Sequence, residues 1–262
     1  MRRLTLALVV LAFAGCATTA PRPLTVMVYN IHAGKDAAGA DNLERVAELI
    51  RKEGADVVLL QEVDRGTERS GRVDQLARLM SLTKFHGAFG KSLDYQGGDY
   101  GIAILSRWPV VASETIPLPV VPPQTRAGGS IEPRVALVAD IAAPGGTVRI
   151  FNTHLDASRE ETYRLQELDH LLAAIGTKRP LLAGGDFNAE PGSRVHERAV
   201  AAGLRDAWLE CGSGDGLTFP AHAPVKRIDD LFLRDGARCS EARVIATEAS
   251  DHRPVVIRVT RS

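Results

Sequence analysis

The chain has 262 residues, 45% hydrophobic and 24% charged, which suits one large buried core and excludes a disordered or low-complexity protein. Lys plus Arg and Asp plus Glu each number 32, so charge alone gives no reason to expect nucleic acid as partner. Aromatic residues make up only 5%, so the core must be built from Val, Leu, Ile and Ala.

Arg2 and Arg3 precede the apolar run Leu4–Ala14, and Gly15-Cys16 follow. A basic start, a short apolar stretch and a small residue read as a secretory signal, too short to span a bilayer. Ala14-Gly15-Cys16 resembles a bacterial lipobox, in which the cysteine is lipidated and becomes the first residue. Phe13 departs from the usual Leu, and plain secretion with cleavage near Ala20 is the alternative. The expected layout is a signal over 1–15, a tether over 16–23 and one domain over 24–262. The expected location is the cell envelope, held by a lipid on Cys16, or else outside the cell. Losing Arg2 and Arg3 takes the basic count from 32 to 30 against 32 acidic residues, a net charge of −2. Cys211 and Cys239 then remain; in an oxidising compartment they can pair, but with no further spacing pattern two buried thiols are expected. There is no CxxC or HExxH zinc spacing.

Leu24–Tyr29 is an apolar strand that stops at Asn30-Ile31-His32. Asn42–Glu53 has helical spacing, with Asp41 as its cap and Gly54 as its stop. Asp56–Leu60 is a second buried strand, stopping at Gln61-Glu62-Val63-Asp64. The polar loop Arg65–Arg72 leads to a helix over Val73–Ser81. Strands are expected over Lys84–Phe89, Tyr100–Leu105 and Val110–Ile116. Pro117–Gly129 is rich in Pro and Gly and reads as a long rim loop. Arg134–Ile141 and Thr147–Asn152 read as a hairpin closed by Pro144-Gly145-Gly146. The longest helix is Arg159–Ile175. The central stretch Leu181–Pro191 (LLAGGDFNAEP) begins as a buried strand, Pro180–Ala183. Gly184 and Gly185 then turn the chain to present Asp186 and Asn188. A helix near Ser193–Ala202 follows, and Leu204–His222 reads as irregular surface. Asp229–Leu233, Ala242–Ala246 and Val255–Val259 are the last strands. Hairpins mixed with strand–helix–strand units predict mixed sheets covered by helices.

The strand borders carry polar residues with no core role: Asn30, Glu62, Asn152 with His154, Asp186 with Asn188, Asp229, and Asp251 with His252. Strand ends are where α/β layers assemble active sites. No Ser or Cys stands beside a base, so a covalent acyl route has no support. Glu62 and Asp251, helped by Asn30 and Asp186, are hard oxygen donors suited to Mg²⁺ or Mn²⁺. The histidines and carboxamides are left for proton transfer and anion stabilisation, a set suited to attack of water on phosphorus.

The stretches YNIH (29–32), LQEVD (60–64), YGIAILSR (100–107), NTHLD (152–156), GGDFNAEP (184–191), RIDDLF (227–232) and SDHRPV (250–255) resemble, in order, the endonuclease/exonuclease/phosphatase superfamily. The resemblance covers 24–259 and implies the DNase I-like fold: an α/β, four-layer sandwich of two mixed β-sheets flanked by helices. It implies Glu62 as the main metal ligand, with Asn30 and Asp251 close to the ion. His252 becomes general base or phosphate contact, and Asp229 fixes its tautomer. Asp186 orients or activates the water; either Asp186 or His252 takes its proton. His154 and Asn188 donate to the phosphoryl oxygens, and Asn152 supports His154 or meets the substrate. Asp230 stands where many relatives carry an aromatic, outside the catalytic set.

The resemblance implies a Mg²⁺- or Mn²⁺-dependent phosphoesterase, with phosphodiesters the expected substrates and phosphomonoesters the lesser option. A nuclease is the first alternative and a non-catalytic binding protein the second. Selectivity is expected in the loops Arg65–Arg72, Lys91–Asp99 and Pro117–Arg134, with Arg107, Arg126 and Arg134 as phosphate contacts. A monomer is expected.

Overall fold

The computed structural model describes residues 22–124, 132–176, 182–234 and 236–261. The signal segment 1–15, Cys16 and Arg126 lie outside the described residues.

The strands are β1 (Leu24–Asn30), β2 (Val57–Arg65), β3 (His86–Tyr95), β4 (Gly98–Ser106), β5 (Val110–Leu118), β6 (Arg134–Ala143), β7 (Gly146–His154), β8 (Leu182–Asp186), β9 (Arg205–Asp206), β10 (Asp229–Leu233), β11 (Ala237–Val244) and β12 (Val255–Arg261). The helices are α1 (Leu43–Lys52), α2 (Gln75–Thr83), α3 (Thr162–Ile175), α4 (Arg194–Ala201) and α5 (Ala207–Cys211). One sheet runs β11-β12-β1-β2-β4-β3 and the other β5-β6-β7-β8-β10-β9. Among the described residues, β1·β2 and β7·β8 are the parallel pairs and the others are antiparallel.

The alternation of side chains along each strand builds the layers. Leu24, Val26, Val28, Val57 and Leu59 of the first sheet meet Leu137, Ile150, Leu182 and Leu231 of the second in a shared core. The opposite face of the first sheet, Met27, Tyr29, Val58 and Leu60, is covered by Val46 and Ile50 of α1 and Leu76 and Leu79 of α2. Phe151, Ala183 and Phe232 of the second sheet are covered by Leu168, Leu171 and Ile175 of α3 and Val195 of α4. Each fully buried Leu, Ile or Phe stabilises by about 1.5–3 kcal/mol. The result is the expected four-layer, DNase I-like sandwich.

Several local expectations change. Gly184 and Gly185 do not make a turn; both stay inside β8. A Cβ on Gly185 would collide with the carbonyl oxygen of Thr153 on β7, and its φ of +146° disfavours any side chain, so glycine is there for strand proximity. Pro117 lies within β5 and ends no strand, because β5 is an edge where a missing N–H costs nothing. Leu204–His222 is more than surface: it supplies β9 and α5, and Trp208 is buried. Cys211 and Cys239 are bridged, with Cα atoms 5.8 Å apart, which corrects the expectation of two thiols. The bridge ties α5 to β11.

Candidate active site

Strand direction gathers the site. β1, β7 and β8 end at one edge of the sandwich with Asn30, His154 and Asp186, and β2 passes that edge with Glu62 at its bulge. β10 and β12 are antiparallel to their neighbours, so what matters there is where they start. Asp229 opens β10 opposite Asp186, and Asp251-His252 precede Val255, which pairs with Val28 near the end of β1. A pocket of about 320 Å³ at this edge is lined by Glu62, Arg134, His154, Asp186, Asn188, Asp251 and His252, among others.

Two of these residues have an unusual backbone. Glu62 sits at φ +55° where the β2·β4 register slips, and Asn188 at φ +47°. Left-handed conformations are costly for side-chain-bearing residues, and a bulge re-aims the side chain it carries. Here both aim a polar group into the pocket.

Asn30 donates from Nδ2 to Glu62 Oε1 and to Asp186 Oδ2, both at 3.1 Å. Its Oδ1 accepts from His32 N at 3.0 Å. Asn30 therefore aims the two acids, while its side-chain oxygen accepts from a backbone N–H. Glu62 and Asp251 both line the pocket, and the Asp251 side chain is 30% exposed.

His252 Nδ1 donates to Asp229 Oδ2 at 2.9 Å, which leaves Nε2 facing Asp186 Oδ2 at 3.7 Å. His154 Nε2 lies 3.7 Å from the same oxygen. Burial disfavours the His252 imidazolium, but the carboxylates of Asp229, Asp186 and Asp251 overcome it and push the group up to about 10. Burial, then Asp229, raises the Asp186 carboxyl to about 7, against the pull of His252 and Asn30. Burial, helped by Arg134 and His252, holds His154 well below the usual histidine range, so it is a neutral donor. Asn188 N donates to Asp186 Oδ1 at 2.9 Å, and Asn188 Nδ2 donates to Leu155 O at 3.0 Å. Both fix the tip of β8.

Ligand-capable atoms of Asp186, Asp229 and His252 also lie within 4.8 Å of one another, so this trio could hold an ion. The Asp229–His252 bond uses Nδ1 and Oδ2, and Asp229 Oδ1 is buried with no hydrogen-bond partner.

Two expected substrate contacts are elsewhere. Arg107 follows β4, which is antiparallel to β2, so it falls at the opposite edge of the sheet. There Arg107 Nε donates to Asp56 Oδ1 at 2.8 Å and Arg107 Nη2 to Ala55 O at 2.9 Å. Asn152 is fully buried between the sheets: Nδ2 donates to Leu60 O and Ala103 O, both at 2.9 Å, and Oδ1 accepts from Gln61 Nε2 at 2.7 Å. Asn152 thus clamps β7 to β2 and β4, and it meets neither substrate nor His154. Arg134 does line the pocket, paired with Glu132 at 2.9 Å.

Of the loop arginines, Arg65 pairs with Asp99 and Arg72 donates to Gly66 O and Gln96 O. Only Arg69 reaches the pocket, gripped by Asp64 at 2.8 Å through both Nε and Nη2 and stacked on Tyr95 and Tyr100. Tyr100, the first residue of the stretch YGIAILSR, and Glu132, which no motif marks, also line the pocket. Phe219, hidden in the irregular stretch, packs its ring 4.7 Å from that of His252. Asp230 points away from the pocket and joins Arg227, whose partner Asp206 also binds His196.

The chain belongs to the endonuclease/exonuclease/phosphatase family, whose model matches residues 27–252. The protein is 27% identical to the uncharacterized protein YbhP of Escherichia coli K12 over 249 residues, 88% of this chain and 93% of that one. It is 28% identical over 183 residues to the inositol phosphosphingolipids phospholipase C of Schizosaccharomyces pombe, covering 64% of this chain and 42% of the yeast protein. Its fold superposes on an endonuclease/exonuclease/phosphatase from Beutenbergia cavernae with TM-score 0.73 and 25% identity, over 92% of this chain and 72% of that one. Members of this family are hydrolases of phosphoester bonds.

Proposed function

We propose that the protein is a divalent-metal-dependent phosphodiesterase that acts by direct attack of water on phosphorus. One observation carries this reading: a buried Asp229–His252–Asp186 array shares a pocket with the open carboxylates of Glu62 and Asp251 and the donors His154 and Arg134. Glu62 and Asp251 fit Mg²⁺ or Mn²⁺, because they offer hard carboxylate oxygens at the pocket. Such an ion, when bound, neutralises charge on the phosphoryl oxygens.

The remaining work falls to the chain. His154, Arg134 and the edge of Asn188 donate to the non-bridging oxygens as charge builds on them. Asp186 holds the attacking water and takes its proton. The new bond joins the water oxygen to phosphorus, and the bond to the leaving oxygen breaks. The leaving alkoxide is protonated from His252, while Asp229 keeps the imidazole oriented. Asn30 keeps Glu62 and Asp186 apart and aimed.

The test is a panel assayed side by side with Mg²⁺ and with EDTA: bis-p-nitrophenyl phosphate, p-nitrophenyl phosphate, plasmid DNA, phosphatidylinositol and sphingomyelin. The reading expects diester turnover that EDTA stops and Mg²⁺ or Mn²⁺ restores. Turnover confined to the monoester, or indifferent to EDTA, contradicts it. We also infer a lipid anchor on Cys16 at the cell envelope; Cys16→Ser should release the protein from membranes and abolish acyl-chain labelling.

A further inference from the structure

The catalytic imidazole stands at the meeting point of two cavities. Ala157, Asn188, Phe219 and His252 line both the pocket described above and a neighbouring groove of about 500 Å³. Their charges differ. The pocket sets Glu62, Glu132, Asp186 and Asp251 against Arg69 and Arg134. The groove sets Arg159, Arg164 and Lys226 against Glu161 and Glu190. The first is acidic, as a cation site needs; the second leans basic.

Polar groups in the groove have unfilled valences. Arg164 is only 6% exposed; its Nη1 donates to the carbonyls of Asp156 and Ser158, while its Nε has no hydrogen-bond partner. Ser158 Oγ is buried and unpartnered as well. A buried guanidinium nitrogen with no acceptor is costly unless a ligand supplies one. The groove also lies where two helices begin. Glu161 precedes α3, whose first turn has no side-chain cap, and Ser193 caps α4. The uncapped first turn of α3 and the positive end of its helix dipole favour an anion.

We propose that this groove binds a second phosphate of the substrate, held by Lys226, Arg159 and Arg164, while the scissile phosphate sits beside His252. This rests on the phosphodiesterase reading and narrows its substrate class to diesters that carry a further phosphate monoester or diester nearby. The shared lining residues make the two positions contiguous, so one short substrate spans both. The groove's extra cations then add binding energy that a lone diester does not collect.

The test is calorimetric, so it does not depend on turnover. Alkyl monophosphates of two, three and four carbons are compared with the matching α,ω-alkanediol bisphosphates, with Mg²⁺ in excess. At least one bisphosphate should bind about tenfold or more tightly than its monophosphate, the scale of one added charge-assisted contact. In Lys226→Ala/Arg159→Ala, and in Lys226→Glu, that ratio should fall toward one. A ratio near one in the wild type, or a large ratio unchanged in the variants, overturns the proposal. Hydrolysis of bis-p-nitrophenyl phosphate on the same preparation separately tests the phosphodiesterase reading; its absence sinks that reading and leaves the binding ratios to be judged on their own. The source of the phosphate is read from two pairs: the dinucleotides pTpT and TpT, and vesicles of phosphatidylinositol 4-phosphate and phosphatidylinositol. A gain from the added phosphate in either pair supports the subsite and names its source, and a gain in neither overturns it.

Discussion

Two carboxylates flank the apolar start of β2, Asp56 before it and Glu62 after it, and they are treated in opposite ways. Asp56, just before the strand, is fully buried and saturated: Arg22 Nη2 and Arg107 Nε donate to its Oδ1 at 2.6 and 2.8 Å, and Thr25 N donates to Oδ2 at 3.1 Å. Glu62, on the far side of that apolar run, is half-buried, sits on a bulge and, among the described residues, receives one hydrogen bond, from Asn30. The first is an acid whose needs the fold has met. The second is an acid left short of partners at the mouth of a pocket. Buried charge that is fully paired holds structure together; charge left open beside other open charge is available for chemistry.

The largest effect expected from this contrast is at the open end. His252→Ala should lower diester turnover by a factor of ~10²–10⁴, the usual loss for a positioned proton-transfer group. Rates are normalised to folded protein, because removing the imidazole leaves the buried Asp229 without its ion-pair partner and also costs stability. A variant that keeps its rate would remove the imidazole from the reaction.

The second prediction uses an acid buried on α3, away from both ends. Burial, offset in part by the Asp156 N–H, raises the Glu167 carboxyl from 4.5 to about 8. A carboxyl raised in the folded state favours folding in its neutral form. Its contribution is therefore full below about 4.5 and is lost as pH climbs through about 8. Glu167→Gln keeps an acceptor for Asp156 N and cannot ionise. Relative to the wild type it should gain stability with rising pH, reaching ~2–4 kcal/mol above pH 8. Parallel melting curves at pH 5 and pH 9 measure it; an equal offset at both pH values contradicts the burial of a neutral acid.

At the closed end, Asp56→Ala should cost about 2 kcal/mol, because it leaves Thr25 N–H without an acceptor while the half-exposed arginines can rehydrate. Urea unfolding reads this directly, and the rate per folded molecule should not change. A lost rate with intact stability would reverse the assignment of the two ends.

These contrasts were only half readable from the amino acids. Glu62, Asp186 and His252 stand out because each interrupts an apolar strand with a group the core cannot use. Arg107 stands out for the same reason and misleads, because the direction of β4 decides which end of the strand reaches the site, and direction depends on long-range pairing. The same antiparallel pairing brings Tyr100, at the start of β4, to the pocket. Asn152 looks like a site residue, since nothing local reveals that the other sheet offers two carbonyls and a carboxamide to saturate it. The glycines of β8 point to a turn by local rules, yet they answer a crowding by β7 that only the folded sheet creates. The bridge between Cys211 and Cys239 likewise depends on α5 packing beside β11.

The most direct measurement places both ends in one assay: hydrolysis of bis-p-nitrophenyl phosphate with Mg²⁺ by wild type, Asp186→Ala and Arg107→Ala, normalised to folded protein. The account predicts wild-type rates for Arg107→Ala, at a stability cost below ~1 kcal/mol for a partly exposed ion pair. It predicts a loss of ~10²-fold or more for Asp186→Ala. An active Asp186→Ala, or an Arg107→Ala that folds but does not turn over, would contradict it.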